Sequence, residues 1–225
     1  MNRYICTNRN PLYKDHVEMI LEQKKKQILD FFNVSDNIPL SINVYIYDTI
    51  EDLVSGLRAR GFSDMPDYMC ACQKDEDNSI NYFEPKDNPS ENEWSKDEYD
   101  NVIFHEEIHA IQYAIYGTQP GWLTEGVAKY IDGTYKKGIE FVLDNYIDVN
   151  NPPSMFEIEN EFGEHEYDSY DYAYLMISYL IETMGEDNFL IAIKSKECIE
   201  KMSEDLVSKS INYYINKYNN KSKLK

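Results

Sequence analysis

The apolar residues change their spacing partway along the chain, and that change limits the available folds more than any other feature. Three β-branched and aromatic runs, "LSINVYIYDT" (40–49), "DYMCACQ" (67–73) and "SINYFEP" (79–85), read as strands. The acidic turn "KDEDN" joins the last two, which predicts an antiparallel hairpin. Two helices are interleaved with these strands. Residues 13–32 place Val17, Ile20, Leu21, Ile28, Leu29 and Phe32 on one face and turn "EQKKKQ" outward, and "IEDLVSGLRARG" (50–61) stops at Gly61. From residue 101 onward helical spacing dominates, over 101–117, 122–133, 136–147 and 169–184 and through a helical tail. The stretch 148–169, with its two prolines, reads as irregular. Strands in the first half and helices in the second define an α+β fold. We expect one domain, with a mixed sheet in an N-terminal lobe (about 1–117) and a mostly helical C-terminal lobe (about 118–225).

Charge narrows the partners. Forty-one acidic residues against 22 basic ones give a formal charge of −19, a field that repels nucleic acid and anionic membrane surfaces. With 42% hydrophobic and 14% aromatic residues the chain can still build a core, so the acidity does not signal disorder. The start lacks an apolar run of signal-peptide length. The most apolar stretch, "YAYLMISYLI" (172–181), is too short to span a bilayer, so a soluble, cytoplasmic protein is expected. Cysteines 6, 70, 72 and 198 form no disulfide framework. The lone C-x-C at Cys70 and Cys72 lacks the second pair of a structural zinc site and suits the buried face of a strand.

The chemistry lies in "NVIFHEEIHAIQY" (101–113). On a helix, His105 and His109 are one turn apart, their Cβ atoms about 5–6 Å from each other, and point the same way. Two neutral imidazoles so placed can both reach one Zn²⁺ ion at about 2.0–2.1 Å. Glu106 emerges about 100° around the helix, where it can act on a water rather than on the metal. This H-E-x-x-H arrangement supplies what peptide hydrolysis needs: a zinc ion that lowers the pKa of water toward about 7, and a carboxylate that takes the proton. Val102, Ile103, Phe104, Ile108, Ile111, Tyr113 and Ile115 supply an apolar frame for the helix. Glu107 stands where such helices usually carry an apolar residue. His16, beside Asp15 and Glu18, has no ligand partner at matching spacing and reads as a surface residue. A third ligand is required, and Glu125, on the helix that follows the "GTQPG" turn, is the candidate; Gly126 beside it permits close backbone approach.

"HEEIH" followed by "PGWLTEGVAKY" resembles the gluzincin metallopeptidases, most closely the peptidase MA-like family with its H-E-x-x-H and W-L-x-E-G-x-A motifs. The similarity extends through "PPSMFEIENEFG" and "YDYAYLMISYLIETMGEDNFL" and covers roughly 102–190, about half the chain. It implies a zincin-like fold and one zinc ion held by His105, His109 and Glu125, with Glu106 as general base. It also implies a hydrogen-bond donor to the substrate oxyanion from the later region. Tyr170 aligns best with that donor, and Tyr172 and His165 are its rivals. Relatives often carry an acidic residue four positions after the glutamate ligand, which can orient a ligating histidine. Here that position is Lys129, leaving Glu107, Asp132 or a backbone carbonyl for the part. The G-x-M-E-N pattern of related aminopeptidases is absent. "SINYFEP" precedes the metal helix, as does the edge strand that receives extended substrate in zincins, and together these features imply an endopeptidase acting on peptides or proteins.

Two other classes compete. A catalytically silent relative could keep the fold as a binding or regulatory module, but such a scaffold needs no Glu106. A di-iron carboxylate protein would use "EEIH" as E-x-x-H, yet neither His16 nor His165 has a glutamate three positions earlier to form the second motif.

Overall fold

A computed structural model of the chain describes residues 3–6, 10–35, 40–62, 71–74, 77–84, 96–135, 137–160 and 169–222. It is α+β, mostly helical, with one small mixed sheet. The chain forms two compact units, Met1–Thr118 and Gln119–Lys225.

The first unit runs β1 (Arg3–Cys6), α1 (Pro11–Phe31), β2 (Asn43–Tyr47), α2 (Ile50–Ala59), β3 (Ala71–Lys74), β4 (Ser79–Phe83) and α3 (Lys96–Tyr116). Local chemistry sets the helix ends. Asn10 accepts the Leu12 N–H at 3.1 Å with Pro11 opening α1, Thr49 accepts the Asp52 N–H at 3.1 Å to cap α2, and Gly61 closes α2 at φ +95°. The sheet order is β1-β2-β4-β3, with β1, β2 and β4 parallel and β3 antiparallel to β4. The hairpin expected from "KDEDN" is therefore present as β3 and β4. "SINYFEP" does not supply an edge, however: β4 pairs with β2 on its other side, and β3 is the edge strand next to it. That correction follows from a parallel pairing between segments more than thirty residues apart, which no local pattern announces.

Alternation gives the sheet two different faces. Val44 and Ile46 of β2 stand in register with Ile80 and Tyr82 of β4, all four fully buried. The Tyr82 hydroxyl donates to the Ile103 carbonyl of α3 at 2.9 Å, so this face carries the α3 helix. On the other face the Arg60 guanidinium lies 3.8 Å from the Tyr45 ring centroid. It donates to Asp77 at 2.9 Å, to Ser79 at 3.1 Å and to Asn81. Asn81 in turn donates to the Cys72 carbonyl at 3.1 Å, tying this network to the edge strand.

The second unit is helical: α4 (Gly121–Asp132), α5 (Gly138–Asn145), α6 (Met155–Asn160), α7 (Ser169–Met184), α8 (Glu186–Ala192), α9 (Lys196–Ser203) and α10 (Leu206–Ser222). α7 is its centre. Tyr172, Ala173, Leu175, Met176 and Ile177 are all fully buried, because α4, α5, α8 and α10 surround it. α6 occupies part of the stretch expected to be irregular. Its start is a capping box: Glu157 N–H donates to Ser154 Oγ at 3.2 Å, and Ser154 N–H donates to Glu157 Oε2 at 2.6 Å. No helix among the described residues is long and apolar enough to cross a membrane.

Candidate metal centre

α3 carries the H-E-x-x-H residues on a helix whose other sides are buried. Ile103, Phe104, Ile108, Ala110 and Ile111 are at most 1% exposed, whereas His105, Glu106 and His109 are half-buried. The helix is fixed against α1 and the sheet, then stops at Gly117, whose φ of +71° is the left-handed conformation glycine adopts cheaply. The spacing of the two histidines does what the sequence implies. Their Nε2 atoms converge to 3.0 Å, with ring centroids 4.6 Å apart and ring planes at 83°. Two nitrogens each about 2.0–2.1 Å from a shared ion must lie within about 4.2 Å of each other, a condition this pair meets.

The glutamates between them differ. Glu106 lies toward β3 and β4, where its charge acts on Cys72 and Tyr82. Burial, with Glu106 adding to it, pushes the Cys72 thiol up to about 12, so this buried cysteine stays a neutral thiol. Cys70 lies outside the described residues. Glu107 is 1% exposed and its Oε2 has no hydrogen-bond partner among the described residues. Burial and then the Glu22 carboxylate of α1 push its carboxyl well above the usual range, against a smaller pull from Lys25. Two residues from either histidine is about 200° around the helix, so Glu107 faces α1 and not the imidazoles. It therefore does not orient a histidine.

In the second unit, Glu125 and Lys129 stand half-buried on α4, one turn apart. Gly126 beside them is needed for packing. A Cβ built there would come within 2.5 Å of the Ala173 carbonyl oxygen and of Ile177 Cγ1, so the close approach expected at this glycine is to the backbone of α7. Tyr170 is the second residue of α7, and the Lys129 ammonium lies 5.4 Å from its ring centroid. Tyr172, one of its rivals, is fully buried, and its hydroxyl accepts the Asp148 N–H at 2.9 Å. That hydroxyl is committed to the core. His165 lies outside the described residues. Asp132 accepts the Thr134 N–H at 2.6 Å at the end of α4.

His16, expected at the surface, is half-buried. Its Nε2 lies 2.7 Å from Asp100 Oδ1, linking α1 to the first half of α3. The sequence also gave no reason to single out Tyr82 among 20 tyrosines, although its hydroxyl holds α3 two residues before His105.

A convergent histidine pair on a buried helix, with a glutamate between them, on an α+β scaffold defines a candidate metal-binding hydrolase. Residues 79–219 match the peptidase MA superfamily. That span is more than half of the chain and takes in α3 together with α4 to α9, so the protein belongs to this superfamily of typically metal-dependent peptidases. No curated protein matches it.

Proposed function

We propose that the protein is a zinc-dependent endopeptidase whose single ion is held by His105, His109 and Glu125. In this reading residues 1–225 form one zincin-like catalytic domain, the α/β part supplying the two imidazoles and Glu106 and the helical part supplying Glu125 and Tyr170. The observation that carries the reading is the 3.0 Å convergence of the two Nε2 atoms with Glu106 beside them, in a chain of the peptidase MA superfamily. Two imidazoles and one carboxylate are a donor set suited to zinc that leaves a fourth position for water or substrate. Such an ion, when bound, polarises a peptide carbonyl and makes a water acidic enough to lose its proton near neutral pH.

The side chains divide the remaining work. Glu106, next to a ligand without being one, accepts the proton of the attacking water and delivers it to the leaving amine. The Tyr170 hydroxyl donates a hydrogen bond to the carbonyl oxygen as that oxygen gains charge, a contribution worth several kcal/mol in such sites. The apolar surroundings of α3 keep the histidines and Glu106 in place before substrate arrives. The substrate is an extended peptide or protein segment, and the −19 charge of the chain favours basic ones.

Glu106→Gln tests the assignment. Hydrolysis of a quenched-fluorescent peptide library by zinc-loaded protein should fall by at least about 100-fold in the variant, with zinc content and melting temperature nearly unchanged. Equal hydrolysis by the variant and the native chain would remove Glu106 from the chemistry.

A further inference from the structure

We propose that Lys129 is a positioning residue for Tyr170: held over the phenol ring, its ammonium fixes the ring and strengthens the hydroxyl as a hydrogen-bond donor. The inference rests on the peptidase reading above for its effect on rate. Nζ stands 5.4 Å from the Tyr170 ring centroid, inside the roughly 6 Å over which the ring quadrupole attracts a cation.

Three observations separate this from a chance contact. A glutamate four residues before a lysine is the best-placed helical ion pair, and Glu125 occupies that position. Yet Lys129 forms no ion pair with any carboxylate among the described residues, in a chain with nearly twice as many acidic as basic side chains. The carboxylate next to Tyr170, Asp171, is taken by the Tyr135 hydroxyl, and Asp132 caps the end of α4 through Thr134. Finally, the spacing between the two residues is set by backbone. Gly126 lets α4 rest directly on the Ala173 carbonyl of α7, so Lys129 and Tyr170 belong to two helices in fixed contact.

A cation over the ring stabilises electron density leaving the phenol O–H, which is what a donor to a developing oxyanion requires.

The test uses three single variants, Tyr170→Phe, Lys129→Met and Lys129→Arg, and two readouts. Tyrosine ¹³Cζ resonances of the metal-free full chain, with Tyr170 assigned by its loss in Tyr170→Phe, report the pH at which this phenol ionises. Lys129→Met keeps the aliphatic stem and removes the charge, and it should move the midpoint up by roughly 0.5 to 1 unit, while Lys129→Arg should return it to the native value or below. With zinc-loaded protein and a quenched peptide substrate, Lys129→Met should lower kcat by roughly 2- to 10-fold with little change in KM, and cause no further loss in a Tyr170→Phe background. An unchanged Tyr170 midpoint in Lys129→Met overturns the proposal, as do losses from the two substitutions that multiply. Absence of peptide hydrolysis by the zinc-loaded native chain would instead remove the peptidase reading, and the titration would still decide whether Lys129 acts on Tyr170.

Discussion

Gly126→Ala sets a known gain against a known clash. In a helix interior the change is worth about 1 kcal/mol of propensity in favour of alanine. Against that, the added methyl would sit 2.5 Å from the Ala173 carbonyl oxygen and 2.5 Å from Ile177 Cγ1, where ordinary contact begins at 3.4 Å. The Ile177 side chain can turn, but a carbonyl inside α7 cannot, so α4 and α7 must separate by nearly an ångström. Overpacking of this kind costs about 1–3 kcal/mol and occasionally more. Because one of the two obstacles is backbone, we place the cost at about 2–4 kcal/mol, from the upper part of that range to just beyond it, and expect a net loss of about 1–3 kcal/mol. At roughly 2–4 °C per kcal/mol for a chain of this length, calorimetry should show a fall of about 2–12 °C in Tm. The same displacement moves Glu125 relative to Tyr170, so on the proposed reading peptide hydrolysis should fall more than the folded fraction does. In an Ile177→Ala background the cost of Gly126→Ala should shrink without vanishing, since the Ala173 carbonyl remains. A Tm equal to or above that of the native chain would refute the reasoning, because propensity would then have decided the outcome and the helices would not be in backbone contact.

Two further outcomes follow from buried and paired carboxyls. Glu107→Leu removes a buried carboxyl with an unpartnered oxygen and should raise stability by roughly 1–3 kcal/mol in denaturant unfolding, with zinc content unchanged because the side chain faces α1; a loss of stability would contradict the placement. Burial alone would raise the Glu182 carboxyl of α7, but bonds from Lys217, Tyr213 and Tyr214 of α10 bring it below its ordinary value of 4.5. A depressed carboxyl stabilises the fold above its unfolded pKa and loses that contribution as pH falls through the folded value. Thermal melts between pH 7 and pH 3 should therefore decline less steeply in Glu182→Gln than in the native chain, by under about 1 kcal/mol since the pair is partly exposed.

Much of this arrangement was legible because it is written locally. The helix expected over 13–32 is α1 over 11–31, Gly61, Gly117 and Gly133 all adopt the positive φ that ends a helix, and the "KDEDN" hairpin is β3 and β4. His105 and His109 converge because four residues make slightly more than one turn. What escaped depends on partners distant in sequence or on segments too short to show a period. β1 is four residues long and owes its strand to a parallel pairing with β2 forty positions later. α6 is six residues long, and its Ser154–Glu157 capping box was present in the sequence but too brief to stand out after two prolines. The burial of Glu107 against α1, the His16–Asp100 pair and the stacking of Lys129 on Tyr170 each join two helices whose packing no spacing within either one reveals.

The central claim is that His105, His109 and Glu125 hold one ion. Elemental mass spectrometry on protein purified without added metal, beside Glu125→Ala and His109→Ala prepared identically, tests it most directly. The account predicts close to one zinc per chain in the native protein and much less in both variants, each still folded by circular dichroism. No zinc in the native protein, even after reconstitution, or equal zinc in all three, would contradict it.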